Sequence, residues 1–348
     1  MLILDFTNRK RTSNAKKGYF DRWNELFGST GDYDSSLHEY DELETTLTTN
    51  GARSFAGYFN SINKLNRKTK WVFGDGDKYI EIDSLRFEVE GADGSYDDDY
   101  SSYFMDNIFS LGDGTNFFEF RVDLYEDHEI QDSIAQRLRS KGLKSTILGG
   151  AGADHIEFDI GKDDEVDLSP KSSVVVNTKG GRDTIEVDAC FNLSAKIDSG
   201  SGSDTVDLCE ANSSFVNTGK NNDTVFLGRD DPYGLDELKL VKNIKDIIVG
   251  GSGRDQFVFN KYLHGSMYNL NRNKDFCVLK DYQDIDQIIY CGNEGLRIDS
   301  KDGTIKLAAT GAYKAQSVGY TARLYADNDL IAYISGEEPS LSDITQYY

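Results

Sequence analysis

The sequence predicts a mainly β protein with a parallel β-solenoid in its middle, and three observations support this. Clustered glycines that end in an aspartate recur between residues 146 and 260. A short segment of alternating apolar and polar residues follows each copy. The spacing is regular, since Asp183 follows Asp164 by 19 residues, Asp204 follows after a further 21 and Asp223 after a further 19. A unit of this length cannot bury its apolar side alone, so stacked copies must share one core.

The excess of acidic over basic residues limits which partners the chain is expected to bind. The 348 residues include 60 Asp and Glu against 38 Lys and Arg, which gives a net charge of −22. Nucleic acid is excluded as an expected partner because phosphate binding needs a basic surface. A compact acidic chain repels itself unless cations neutralise it. The four cysteines, Cys190, Cys209, Cys277 and Cys291, form no CxxC pair, so no zinc site is predicted.

Three regions are predicted along the chain. Residues 1–145 form a mixed α/β region of unassigned role, with helices over 19–27 and 133–141 and strands over 79–82 and 117–122. Residues 146–260 form the solenoid, and residues 261–348 form a β-rich cap. Two glycine-containing fragments of the first region, 74–77 and 112–114, are interpreted as surface turns.

Each repeat is predicted to contain two short strands joined by one glycine turn and one polar turn. The second and fourth residues after the aspartates are apolar, as in Ile185 and Val187 or Val206 and Leu208. This period of two directs those side chains into the core. A second strand precedes each glycine turn, over residues 173–177, 194–198 and 214–217.

Glycine and aspartate at this spacing favour a calcium site. Glycine adopts backbone conformations that aim carbonyl groups to one side of a tight turn. Calcium takes 6–8 oxygen ligands from carboxylates and carbonyls. Stacked turns about 4.8 Å apart can place such oxygens around one ion. The predicted ligand residues are Gly150, Gly152, Asp154, Gly181, Asp183, Gly200, Gly202, Asp204, Gly219, Asn221, Asp223, Gly251, Gly253 and Asp255.

These turns resemble the RTX, or haemolysin-type calcium-binding, family, whose repeat is G-G-x-G-x-D-x-U-x. The turns that end at Asp154 and Asp255 match every fixed position. Elsewhere the chain departs from the pattern: Asn221 replaces a glycine, and Lys179 occupies the first half of the Asp183 turn. The resemblance implies a β-roll with calcium as its cofactor, here in a single row along one edge. The alternative is that the glycine turns serve the backbone alone and bind nothing.

The C-terminal region extends this resemblance. Residues 275–288 and the two segments 322–326 and 329–336 are similar to the end of RTX proteins, notably cyanobacterial ones. In that family the C-terminus directs type I secretion. The N-terminus has an apolar segment before its basic residues, which is the reverse of a signal peptide. Export or display at the cell surface is therefore expected to proceed without an N-terminal signal.

The sequence favours a non-enzymatic protein. His128 and Glu129 lack the second histidine of a His-Glu-x-x-His protease motif, no Gly-x-Ser-x-Gly elbow occurs, and His155 is interpreted as a surface histidine. The expected function is a structural or adhesive protein of a surface layer, appendage, matrix or virion that folds on binding calcium outside the cell. It would bind calcium, and itself or a surface polysaccharide. The alternative is a polysaccharide lyase or epimerase with an RTX folding module.

Overall fold

A computed structural model describes residues 2–5, 45–49, 69–76, 78–84, 106–122, 142–160, 172–189, 193–208, 211, 213–227, 245–259 and 276–347. Within them the regular structure consists of β-strands and one 3-10 helix, Leu341–Asp343. The predicted helices over 19–27 and 133–141 lie outside these residues, as do Cys190, Cys209, His128 and Asp164.

The strands form two sheets that alternate along the chain. In spatial order the first sheet contains β1 (Leu2–Asp5), β3 (Thr69–Val72), β5 (Asp106–Ser110), β7 (Lys144–Leu148), β9 (Ser173–Asn177), β11 (Ser194–Asp198), β13 (Phe215–Asn217), β15 (Lys245–Val249), β17 (Phe276–Tyr282), β21 (Asp329–Gly336), β20 (Gln316–Ala326) and β19 (Leu296–Leu307). The second contains β2 (Thr45–Thr49), β4 (Lys78–Ser84), β6 (Asn116–Val122), β8 (Asp154–Ile160), β10 (Thr184–Ala189), β12 (Thr205–Leu208), β14 (Thr224–Leu227), β16 (Gln256–Phe259), β18 (Gln287–Cys291) and β22 (Ile344–Tyr347).

This arrangement is the predicted parallel β-solenoid. From β3 to β18 each strand pairs in parallel with the next strand of its own sheet, so one coil contributes one strand to each sheet. The two sheets continue across residues 145 and 260, at which the sequence analysis placed boundaries. The strands predicted over 79–82 and 117–122 are confirmed as parts of β4 and β6, and they belong to the solenoid itself.

The core lies between the sheets and changes in composition along the solenoid. The first coils bury aromatic rings, with Trp71, Phe109 and Phe118 fully enclosed and the Phe109 and Phe118 centroids 4.8 Å apart. The middle coils bury aliphatic side chains. The residues predicted to point inward there are all at most 1% exposed: Ile185, Val187, Val206, Leu208, Val225 and Leu227.

The C-terminal region closes the solenoid with antiparallel strands. β20 and β21 pair as the predicted hairpin, and β19 adds to β20 with a register shift between Ser300 and Gly303. Leu307 and Val318 pack with Ile247 and Val278 in a second, smaller core. Ile247 and Val278 belong to β15 and β17, so the β19–β20 pair covers the outer face of the first sheet there.

Candidate metal centre

The glycine turns lie above one another along one edge of the solenoid. Each connects a strand of the first sheet to the following strand of the second sheet, and backbone hydrogen bonds join consecutive turns. The Ser201 amide donates to the Lys179 carbonyl (3.1 Å), and the Lys220 amide donates to the Gly200 carbonyl (3.0 Å). We call residues 111–116, 149–154, 178–183, 199–204, 218–223, 250–255 and 281–286 the turn column, with positions one to six in each turn.

At the glycines of positions two and four in the turn column, an added Cβ atom would clash with the backbone of the preceding turn. Gly202, at position four, has a φ of 146°, and a Cβ there would lie 1.3 Å from the Gly181 carbonyl oxygen. Lys179 and Asn221 replace glycine at positions two and four with left-handed φ values of 64° and 81°. Asn221 therefore adopts the backbone conformation of the glycine that it replaces. Lys179 keeps the turn geometry although it breaks the glycine pattern.

The aspartates at position six form a continuous ladder. The Asp183 amide donates to Asp204 Oδ1 (2.9 Å), and the Asp204 amide donates to Asp223 Oδ1 (2.8 Å). The same bond joins Asp154 to Asp183, Asp223 to Asp255 and Asp255 to Asp286. One carboxylate oxygen of each aspartate from Asp183 onward is therefore committed to the coil before it.

The second carboxylate oxygens in the ladder are buried without a donor. Oδ2 of Asp183, Asp204, Asp223 and Asp255 is shielded from solvent and has no hydrogen-bond partner among the described residues. Burial raises the pKa of Asp183 to about 6, of Asp223 to about 7 and of Asp255 to about 6. A buried carboxylate oxygen without a partner costs free energy, so the ladder needs either a proton or a cation at these atoms.

Hydroxyl groups at position one do not supply the missing donor. Thr178 Oγ1 donates to the Ser199 carbonyl (3.1 Å), and Ser199 Oγ donates to the Thr218 carbonyl (3.1 Å). Each hydroxyl has one proton, and these bonds use it. The hydroxyls therefore join neighbouring coils. They also lie close enough to the carboxylates of Asp183, Asp204 and Asp223 to lower the pKa of each, but burial outweighs them and the pKa values stay raised.

The side chain of Asn116 marks a point in the turn column at which a hydrogen-bond donor is surrounded by acceptor oxygens. Its Nδ2 lies 3.2 Å from the carbonyl oxygens of both Gly112 and Gly114, and 2.6 Å from Asp154 Oδ1. Two carbonyls of one turn and a carboxylate of the next thus converge on a single donor. The following turns have aspartate in place of Asn116, so this side-chain donor is missing from them.

The oxygens of the later turns are close enough to share a cation. A Cβ at Gly202 would lie 1.3 Å from the Gly181 carbonyl oxygen and 3.0 Å from Asp204 Oδ1, so these two oxygens lie within the sum of those distances, 4.3 Å. Oxygens around calcium, each about 2.3–2.6 Å from the ion, lie up to about 5 Å apart. The position-four carbonyls of Gly152, Gly181, Gly202 and Asn221 accept no hydrogen bond within the described part of the chain.

Side chains alone do not complete a metal site. No group of three or more His, Cys, Asp or Glu side chains that could hold an ion occurs in the residues that the structure describes. A calcium ion in the turn column would therefore need backbone carbonyls for much of its coordination. The chemistry of those oxygens fits calcium, a hard cation that accepts carbonyl ligands.

The structure brings the sequence-predicted residues together in this one column. Gly150, Gly200, Gly219 and Gly251 occupy position two, Gly152, Gly181, Gly202, Asn221 and Gly253 occupy position four, and Asp154, Asp183, Asp204, Asp223 and Asp255 occupy position six. The ladder passes from Asp154 directly to Asp183, 29 residues on, whereas the predicted spacing was counted from Asp164, which lies outside the described residues.

Sequence reasoning missed three turns of the same stack. The fragments interpreted as isolated surface turns lie in line with the others, because the Asp113 amide donates to Asp75 Oδ1 (3.1 Å) and the Ala151 amide donates to Asp113 Oδ1 (3.0 Å). At the other end, Asp286 is the last rung of the ladder. A search for G-x-G before any alternating apolar segment, without a fixed period, would have found the first two turns.

Comparisons with known proteins add no relative. No family model matches the chain, and neither the curated proteins nor the solved structures contain a significant match. Among the described residues no helix is both long and apolar enough to cross a membrane. The His155 ring, which is partly exposed, stacks on Phe117 with centroids 4.7 Å apart.

Proposed function

We propose that the turn column binds calcium and that the chain is a non-enzymatic, extracellular structural or adhesive protein. The observation that carries this proposal is the convergence of oxygens on Asn116 Nδ2, together with the missing donor where aspartate replaces that residue. A divalent cation at the equivalent point of the later turns would neutralise two carboxylates and satisfy their unpartnered oxygens.

Calcium fits better than other common metals. The atoms that face this point are carboxylate and carbonyl oxygens, which exclude a preference for zinc or copper. Magnesium demands near-ideal octahedral geometry and keeps several of its waters, whereas calcium tolerates irregular coordination. A repeated backbone turn supplies irregular, closely spaced carbonyls, which favours calcium.

Calcium would then control folding. Without cations, neighbouring aspartates repel one another across adjacent coils, and burial of their charges costs free energy. Binding to the folded state alone stabilises it in proportion to the logarithm of the ion concentration. A chain of this kind stays loosely folded where calcium is scarce and folds in a calcium-rich medium, which suits a protein that is exported before it folds.

The turn geometry also supports the proposal of an RTX-like protein. Membership of that family, export by a type I route and a location outside the cell or at its surface all rest on the sequence resemblance. The continuous double sheet supports a structural role, since a solenoid offers long, regular faces for contact with partners.

The test is circular dichroism of the full chain during a calcium titration after complete chelation, with magnesium as the control. In chelator we expect a partly folded chain with a measurable but weak unfolding transition, then a cooperative gain of β signal with calcium and little change with an equal concentration of magnesium. A spectrum that is fully β in chelator and indifferent to calcium would overturn the proposal, since the glycine turns would then be backbone architecture only.

A further inference from the structure

The hairpin formed by β19, β20 and their connection has a charge opposite to that of the rest of the chain. We call residues 296–326 the basic hairpin. It carries five cations, Arg297, Lys301, Lys306, Lys314 and Arg323, against two anions, Asp299 and Asp302. Its net charge is therefore +3, while the remainder of the chain carries −25 to reach the total of −22.

The cations of the basic hairpin are available for an external partner. Arg297, Lys301, Lys306 and Lys314 are exposed. No carboxylate among the described residues pairs with any of these four cations. The fifth cation of the basic hairpin, Arg323, pairs with Asp299. The chain has 60 acidic residues that could pair with these cations. Because the cations stay unpaired, they favour binding of an external anion over a role in stabilising the fold.

Aromatic rings order part of this surface. The Arg297 guanidinium lies 4.0 Å from the centroid of the Tyr325 ring, and the Arg323 guanidinium lies 5.8 Å from it. Tyr320 and Tyr333, which are partly exposed, lie beside them with centroids 4.6 Å apart. A guanidinium held on a ring loses less entropy on binding, and its planar fork matches a carboxylate. Tyrosine presents both an apolar ring and a hydroxyl, which suits the face of a sugar.

The spacing of the cations favours a polymer. Arg297 and Lys306 lie nine residues apart on one strand, so they are up to about 30 Å apart at ~3.3 Å per residue. A small anion cannot reach both groups, whereas a polymer with repeated carboxylates can engage them together with a gain in avidity. Double-stranded DNA, with one charge per about 1.7 Å, would be repelled more strongly by the acidic remainder of the chain.

We propose that the basic hairpin binds an anionic, uronate-containing polysaccharide, with Arg297 as a carboxylate ligand and Lys301, Lys306 and Lys314 as further contacts. The surface offers no apolar patch for a lipid bilayer, because the exposed large hydrophobic residues in the described part of the chain, Ile285, Leu341 and Tyr347, lie outside the hairpin. The site names a partner for the proposed surface role, but it does not depend on calcium binding in the turn column.

The test is calorimetric binding of short polygalacturonate oligomers to the full chain, with neutral dextran and double-stranded DNA as comparators. The triple variant K301Q/K306Q/K314Q should bind uronate at least about tenfold more weakly, since it loses three charge contacts. The matched triple K144Q/K196Q/K280Q removes three exposed lysines from strands outside the hairpin and should stay within about twofold of wild type. R297Q should weaken binding further, and added salt should reduce it.

Four outcomes would overturn the inference. Equal losses in both lysine triples would mean a general charge effect, and tighter binding of DNA than of uronate would assign the hairpin to nucleic acid. Self-association in sedimentation experiments that only the hairpin triple abolishes, without uronate binding, would assign it to contacts between copies. A chain that gains β signal with calcium but fails to bind uronate contradicts the hairpin site alone.

Discussion

The turn that ends at Asn116 and the turns that end at Asp183, Asp204 and Asp223 share one backbone geometry but differ in how their polar groups are satisfied. Around Asn116 an amide donates to two carbonyls of its own turn and to the next carboxylate. In the later turns the carboxylates keep one oxygen without a donor. The first turn therefore satisfies its own acceptors, whereas each later turn leaves one carboxylate oxygen for a proton or a cation.

The cores next to the Asn116 turn and next to the later turns also differ, in the size of the side chains that they bury. Large aromatic rings fill the coils near Asn116, whereas valine, isoleucine and alanine fill the coils near Asp204. Burial of a large aromatic side chain contributes more hydrophobic free energy than burial of a small aliphatic one. The coils around Asp204 thus combine a smaller core with turns that lack internal donors, and we expect their stability to depend most on calcium. The Asp255 turn lacks the donor as well, but its coil buries Phe257 and Phe259.

The largest expected effect tests the turn geometry that both regions share. Gly202→Ala places a Cβ against the Gly181 carbonyl at a φ of 146°, so the backbone must shift at a cost of about 3 kcal/mol or more. Gly76→Ala is the matched control, because Gly76 also has a positive φ, 98°, but its Cβ would meet nothing within 4 Å. Urea unfolding in calcium measures both variants. Equal losses would mean that strain in φ, and not contact between coils, determines the cost.

The next largest effect distinguishes the role of the hydrogen-bonded carboxylate oxygen, Oδ1, from that of the unpartnered one, Oδ2. Asp204→Ala removes the acceptor of the Asp183 amide and should destabilise the folded state by ~1–3 kcal/mol with or without calcium. Asp204→Asn keeps that acceptor and removes the charge, so it should lose only the stabilisation by calcium. Thermal unfolding of both variants, in calcium and in chelator, tests this. If both variants behave alike in chelator, the ladder hydrogen bond does not stabilise the fold.

The pH dependence provides a third test, with different profiles in the two ionic conditions. Burial raises the pKa of Asp183 to about 6 and of Asp223 to about 7, from an ordinary value of 3.8. Between pH 4 and 7 the folded chain without calcium therefore binds more protons than the unfolded chain, and its stability should fall as pH rises. Saturating calcium favours the charged form and lowers the folded-state pKa below the ordinary value, so stability should then stay nearly constant down to about pH 5 and fall only as the pH drops below about 4. Denaturant midpoints at several pH values distinguish the two cases, and identical profiles in chelator and calcium would contradict the account.

The smallest effect converts the first turn into the later type. Asn116→Asp removes the amide that bridges Gly112, Gly114 and Asp154, and it should destabilise the chain in chelator by ~1–2 kcal/mol. Calcium should restore most of that loss, and Asn116→Ala, which can neither donate nor bind, serves as the control. Melting temperatures of the two variants decide the matter. A loss that calcium fails to reverse in Asn116→Asp would mean that a carboxylate at this position does not create an ion site.

The sequence predicted the solenoid because glycine turns and alternating apolar residues carry their own physical signature. It placed Ile185 and Val187 in the core and located every predicted glycine and aspartate on one edge of the stack. The regular spacing of about twenty residues did not point to the turns at residues 74–76 and 112–114. They were interpreted as surface turns, and the structure places them in the same stack, where hydrogen bonds join residues 38 positions apart.

The variable spacing has a simple physical basis. A solenoid fixes the geometry of its strands and of one edge, while the connections on the opposite edge can differ in length at little entropic cost. The number of residues between successive turns therefore depends on the length of those connections as well as on the fixed geometry of the strands. The role of Asn116 as an internal donor could not be predicted either, since it depends on the convergence of oxygens from two coils.

Calcium binding by the turn column is tested most directly by equilibrium dialysis of calcium against wild-type chain and the triple variant D183N/D204N/D223N at neutral pH. The wild-type chain should bind several ions cooperatively. The variant, whose amides replace the charges at the three middle turns, should bind fewer ions while it retains its β structure. An equal number of ions in both chains, or no binding by wild type, would contradict the assignment of calcium to the aspartate ladder.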